Sequence, residues 1–223
     1  MPDFSLLAQQ IAIWAVPVLL AITVHEASHG FVARHYGDDT AARAGRLTLN
    51  PIKHIDPIGT VVLPLVLLLF GSPFLFGWAK PVPVNFGNLR SPLRDMAVVA
   101  AAGPASNLIM AFGWAAILWA YLTMGAAPGG WTLLRDMCIA GVGINVILMV
   151  LNLIPLPPLD GGRIAVGLLP RSLALPLSKV EPWGMVILVM LLATGVLGQV
   201  LSLPLSLVEG LIYQSIGINV TES

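Results

Sequence analysis

Charge is scarce in this sequence. Asp, Glu, Lys and Arg make up 10% of the 223 residues, 57% are hydrophobic, and the mean hydropathy is +0.88. So few charges cannot cover a water-facing surface, which excludes an ordinary soluble domain and leaves the apolar side chains to face lipid. The 11 basic and 11 acidic residues cancel, and no basic stripe marks the chain, so nucleic acid is excluded as a partner. Cysteine is almost absent. Cys138 stands alone, which rules out an internal disulfide and any cysteine metal cluster. There is no lipidation motif, no low-complexity tract and no repeat of 20–50 residues. The start of the chain carries Asp3 where a cleaved signal peptide would carry basic residues, so its first apolar run is expected to remain in the protein.

What is present is a set of long apolar runs. A spanning helix needs about 20 mostly apolar residues. Four stretches satisfy this: Leu6 to Phe31, Met96 to Leu122, Met137 to Ile154 and Gly184 to Val208, the last interrupted by Pro204, which can kink or end it. The sequence therefore predicts an all-α polytopic membrane protein. It reads as a single domain over 1–223, with a core at about 6–170 and an extra C-terminal helix at about 184–208. A fifth stretch, Ile58 to Trp78, is long enough to span, but Pro64 and Gly71-Ser72-Pro73 break it, which favours two short arms.

Basic residues set the orientation. Arg34, Arg43, Arg46 and Lys53 precede the broken stretch, Lys80, Arg90 and Arg94 follow it, and short basic loops lie on the cytoplasmic side. If both loops are cytoplasmic, 58–78 enters and leaves on one face as a re-entrant element; the alternative is an ordinary fifth span. Both tails, which lack basic residues, are expected outside.

The chemistry begins at His25-Glu26-Ala27-Ser28-His29, an H-E-x-x-H motif. Residues i and i+4 lie on one face of a helix, so both imidazoles can reach one ion, and Glu26 can reach a water on it without ligating it. In a polar helix such a pattern is often only a solvated face. Here it ends an apolar helix, where ionisable groups are expensive and mark function. Zinc needs a third protein ligand and an open position, and the candidates are His35, His54, Asp56 and Asp160. His35 lies about 240° round the helix from His29, and the glycine that would turn the chain back is Val32, so His35 reads as a surface histidine. Asp160 follows Pro155, Pro157 and Pro158 and precedes Gly161-Gly162, a context of extended backbone and close approach. Its alternative reading is a cap for the next helix.

The H-E-x-x-H motif paired with Asn152-Leu153-Ile154-Pro155-Leu156-Pro157-Pro158-Leu159-Asp160-Gly161-Gly162 resembles the site-2 protease family of intramembrane zinc metalloproteases (peptidase family M50), in its short form without a PDZ-like insert. Gly45 to Pro51, His54 to Gly59, Gly77 to Asn85 and Ala102 to Asn107 extend the resemblance over about residues 20–165. It implies one zinc ion on His25, His29 and Asp160, Glu26 as general base, and a transmembrane protein substrate cut within the bilayer. The localisation implied is a prokaryotic inner membrane, with the site toward the cytoplasm. Asp160 can be a ligand only if 58–78 turns back. A third crossing would place it up to ~30 Å from the histidines.

Substrate contacts are expected from Pro81, Val82 and Pro83, an extended edge suited to strand addition, or these residues are a mere connector. Asn107 and Asn152 are expected to contact substrate or oxyanion, or to tie helices together. Gly103 reads as helix packing. Two rival functions are an inactive helix-binding relative, which would need a lost ligand or base, and a metal-ion transporter, which would need polar residues in several helices. Oligomeric state has no signature here.

Overall fold

The computed structural model describes residues 4–62, 65–66, 77, 79–124 and 132–218, and among these every regular element is helical. Helix α1 spans Phe4–His35 and a single turn, α2, spans Thr40–Arg43. A loop with a 3-10 turn at Pro51–His54 and a wide turn at Pro57–Val62 leads into the broken stretch. An extended segment, Lys80–Asn85, and a 3-10 turn at Phe86–Asn88 lead to α3, Pro92–Thr123. Then come α4, Thr132–Asn152; α5, Asp160–Leu168; α6, Arg171–Ser178; α7, Glu181–Ala193; and α8, Val196–Ser215.

Among the described residues, four helices are long and apolar enough to cross a membrane: Ala8–His35, Pro92–Thr123, Thr132–Asn152 and Val196–Ser215. The α6–α7 pair, bent by 67°, supplies a fifth broken or re-entrant element. The chain is thus a multi-pass membrane protein.

Helix α3 is the hub. Its start is fixed by Pro92 in the first turn and by Asp95, whose carboxylate accepts the Ser91 N–H at 2.7 Å and so satisfies a donor the helix leaves open. Its buried side is a file of small residues, Ala100, Gly103, Asn107, Ala111 and Ala115, three or four apart. Its other side exposes Ile109, Phe112 and Trp119 to lipid. Because that file is small, α1, α4 and α5 all pack closely on α3. Trp114 of α3 lies flat over Gly141 of α4, where a Cβ would stand 2.4 Å from the ring. The apolar core joins α3 and α4 to α7 and α8 through Ala111, Val142, Val146, Leu188, Leu201 and Ile212.

Two expectations meet a different outcome. The stretch expected as one C-terminal helix, 184–208, is divided at Gly195, whose φ of +76° ends α7 and starts α8. Pro204 lies inside α8 without ending it. In apolar surroundings, neighbouring groups make good the bond a proline removes. The interior of the broken stretch, 63–76, lies outside the described residues save for 65–66. Its two ends are described, and they meet: the Lys80 N–H donates to the His54 carbonyl at 3.0 Å. The stretch therefore returns to the place it leaves, as an Asp160 ligand requires.

Candidate metal centre

Helix α1 carries His25 and His29 one turn apart, with ring centroids 4.7 Å apart and planes nearly perpendicular. Room for two imidazoles on one face comes from Gly103 of α3. A Cβ there would stand 2.5 Å from His25 Cε1 and 2.5 Å from His29 Nε2. The glycine assigned above to helix packing is therefore the floor of the site.

Each imidazole is fixed by an acceptor behind it. His25 Nδ1 lies 2.6 Å from Asn107 Oδ1, and His29 Nδ1 lies 2.7 Å from the Val99 carbonyl. Amide and peptide oxygens only accept, so both Nδ1 atoms carry the hydrogen and both Nε2 atoms present lone pairs. This is the outer support that metal-binding histidines ordinarily have.

Asp160 arrives from the far end of the fold. Helix α4 ends at Asn152, and the segment 153–159 delivers the chain to α5. The first turn of α5 presses on that segment. A Cβ on Gly161 would lie 2.3 Å from the Leu153 carbonyl oxygen, and one on Gly162 would lie 2.2 Å from the Pro157 nitrogen. Two glycines are the only way to bring the helix start so close. Asp160 is the first residue of α5 and the cap position falls to Leu159, so its alternative reading is not realised. Its Oδ2 lies 3.2 Å from His25 Nε2 and 3.4 Å from His29 Nε2, while the two Nε2 atoms are 3.1 Å apart.

With both rings neutral and their hydrogens on Nδ1, the two Nε2 lone pairs and an Asp160 oxygen converge on one space. Asp160 Oδ2 is buried and has no hydrogen-bond partner. Three lone pairs facing one another in a dry space call for a cation. The spacing suits zinc: ligand atoms bound at about 2.0–2.1 Å in a tetrahedral array lie about 3.3–3.4 Å apart. Among the described residues, His25, His29 and Asp160 are the group of His, Cys, Asp and Glu side chains with this property.

Glu26 is half-buried beside the pair, and its Oε2 accepts the Val82 N–H at 2.7 Å. The extended segment Lys80–Asn85 thus lies against the site, and it is tied down elsewhere. Arg46 donates to the Lys80 carbonyl at 2.7 Å, and Asp38 accepts the Asn85 N–H at 2.7 Å. Asp38 also accepts from Thr40 and from the Asn88 amide at 2.9 Å. Burial would raise the Asp38 pKa, but donation from Thr40, Asn88 and Asn85 holds its carboxyl below the ordinary range.

The remaining candidates lie apart from the metal atoms. His35 is exposed and stands edge-on to Tyr36. His54 is buried and bonded to the Thr48 carbonyl at 2.9 Å, and Asp56 accepts the N–H groups of Ile58 and Gly59. Asn152 donates to the Leu148 carbonyl of its own helix at 2.9 Å. Sequence reasoning missed Asn145, Asp38 and the Val99 carbonyl. Asn145 carries the same signal that singled out Asn107, an amide in an apolar helix.

Comparison with known proteins identifies the family. Residues 131–194 match the model of peptidase family M50. The chain is 40% identical to a Bacillus subtilis protein over 183 residues, covering 80% of this chain and 79% of that one. It is 30% identical to a Mycolicibacterium smegmatis protein over 186 residues, covering 81% of this chain and 66% of that one. A Methanocaldococcus jannaschii protein is 29% identical over 163 residues, 73% of each chain. All three bear the name "Putative zinc metalloprotease", with the designations YwhC, Rip2 and MJ0611. No solved structure matches the chain with significance. The chain belongs to peptidase family M50. It is a metalloprotease, and its relatives' names imply zinc as the metal.

Proposed function

We propose that this protein cuts peptide bonds in or near the transmembrane segments of other membrane proteins, with one zinc ion on His25, His29 and Asp160 and with Glu26 as general base. The observation that carries the reading is the close, buried triangle of His25 Nε2, His29 Nε2 and Asp160 Oδ2, the last with no hydrogen-bond partner. Zinc, when bound there, acidifies a water and polarises the scissile carbonyl. Two neutral imidazoles, one ligating carboxylate and Glu26 bring the local charge near zero, which limits the cost of burial.

Glu26 has one carboxylate oxygen held by the Val82 N–H. That bond fixes its rotamer and leaves the other oxygen to take the proton of the attacking water and pass it to the leaving amine. A helical substrate hides its carbonyls in hydrogen bonds, so it must unwind first. The extended edge beside Glu26 is where an unwound strand would lie. Pro81 and Pro83 have no N–H and Glu26 takes that of Val82, so residues 81–83 offer carbonyls only, and the substrate would supply the donors. Asn107 is committed to His25, which gives it a positioning role, whereas Asn152 near the start of the Asp160 segment is the remaining amide for substrate contact. The basic residues Arg34, Arg43, Arg46 and Lys53 near the motif support a cytoplasmic-facing site in a prokaryotic inner membrane.

The test is to purify the full chain and Glu26→Gln in detergent, measure bound zinc, and follow cleavage of a transmembrane substrate. Equal zinc in both with cleavage in the wild type alone is expected. Zinc without Glu26-dependent cleavage overturns the protease mechanism, and wild-type protein without zinc overturns the metal centre.

A further inference from the structure

Behind His25 runs a line of buried amides with a fixed direction. Asn107 of α3 and Asn145 of α4 are both fully buried. Asn145 Nδ2 donates to the Gly141 carbonyl at 2.8 Å, Asn107 Nδ2 donates to Asn145 Oδ1 at 2.9 Å, and Asn107 Oδ1 faces His25 Nδ1 at 2.6 Å. A side-chain amide is nearly symmetric in shape, so packing alone does not say which end points where. Chemistry does. The Gly141 carbonyl only accepts, so the NH₂ of Asn145 must face it and its oxygen must face Asn107. The NH₂ of Asn107 must then face Asn145, with a weaker second acceptor in the Ala21 carbonyl at 3.4 Å. Its oxygen is left to His25, whose Nδ1 must then carry hydrogen, so that Nε2 is the nitrogen open to a metal.

We infer that Asn145 is a positioning residue for the metal centre. It touches neither metal nor substrate, and it sets the tautomer of His25 through Asn107, making the imidazole a ligand before any metal arrives. The inference rests on the reading of His25 as a ligand. The bland alternative is that two amides cement α3 to α4, and the two accounts make opposite predictions for near-isosteric substitutions. If the amides only cement, Asn145→Leu fills the space with apolar atoms and is the milder change, while Asn145→Asp places an acid in a dry interior and is the harsher one. If the relay operates, the order reverses. A neutral carboxyl reproduces the amide pattern, with O–H toward Gly141 and C=O toward Asn107, whereas leucine leaves Asn107 free to turn.

The readout is the tautomer of His25 in the metal-free full-length protein, by ¹⁵N NMR with labelled histidine. The chain has 4 histidines, and substituting His25 identifies its signals. Zinc affinity is measured beside it by competition with a chelator. The wild type and Asn145→Asp are expected to show a single Nδ1–H tautomer and similar affinity. Asn145→Leu is expected to show a mixture and zinc binding weaker by about 10–100-fold, the usual cost of losing an outer support. A single tautomer with wild-type affinity in Asn145→Leu overturns the relay. Should that variant not fold, Asn145→Ala carries the test: it removes the acceptor that orients Asn107, so a mixture of tautomers upholds the relay and a single Nδ1–H tautomer overturns it. Absence of zinc from the wild type would strike at the metal centre instead, and the tautomer measurement would still stand.

Discussion

Two proline-rich segments flank the candidate metal centre, one a run of turns and the other extended, and they are held by opposite means. The segment 153–159, which brings in Asp160, is gripped by backbone contact. Gly161, Gly162 and Gly184 are each the place where a Cβ would strike it, the last at 1.6 Å from the Pro157 carbonyl oxygen. The segment Lys80–Asn85, beside Glu26, is held by side chains: Arg46, Asp38 and Glu26 itself each take one of its peptide groups. Contact between backbones is stiff and unforgiving, because interiors pack to crystal density. Hydrogen bonds to side chains are individually modest and can be exchanged. The metal ligand is thus mounted on the rigid segment, and the edge proposed to meet substrate is mounted on the exchangeable one.

Substitutions can break this contrast in graded steps. The largest effect is expected from Gly162→Ala. Its methyl group would meet backbone, which cannot swing aside, so the cost is about 3 kcal/mol or more. Asp160 is displaced, and metal analysis of the purified variant should find zinc near background. Val82→Pro comes next. It removes the N–H that holds Glu26 and preserves extended backbone. A bond to a charged group is worth about 1.5–3 kcal/mol, so kcat/KM should fall by about 10–100-fold while zinc content stays at the wild-type level. Loss of zinc in this variant would show that the two segments do not act separately.

Asp38→Asn should be milder, lowering Tm by about 2–4 °C near neutral pH. Its pH dependence has a definite sign. The folded Asp38 pKa lies below the unfolded value of about 3.9, so its contribution is complete above that value. As pH falls below about 4 and through the folded pKa, the wild-type advantage should shrink, and equal Tm values in acid are the check. A gap that persists unchanged into acid would mean the carboxylate charge is not what holds Asn85. The smallest effect belongs to His35→Ala. The residue is exposed on the surface of α1, and both zinc content and cleavage should stay within about twofold of wild type. Loss of zinc here alone would overturn Asp160 as third ligand.

The sequence disclosed whatever depends on local geometry. His25 and His29 are readable because the helical period places i and i+4 together, and Asp160 because two glycines beside an acid announce a close approach, although the expected extended backbone before it is a run of turns. The topology was readable as a condition, since an Asp160 ligand demanded a stretch that turns back, and the Lys80–His54 bond meets that demand. What stayed hidden depends on partners distant in the chain. Gly103 faces the two imidazoles across 70 or more residues, and nothing in its own neighbourhood distinguishes it from Gly113, which has no such contact. The Val99 carbonyl belongs to a peptide group and leaves no trace in residue type. The division of the last apolar stretch at Gly195 was misplaced to Pro204, because a proline is a strong breaker in water and a weak one among packed apolar helices.

The bond between Lys80 and His54 has an implication for engineering. It anchors Lys80 two residues before Val82, so the peptide that holds Glu26 is registered against the chain at His54. A reporter placed beside His54, which lies outside the metal-ligand group, would therefore register movement at the Glu26 carboxylate without touching it.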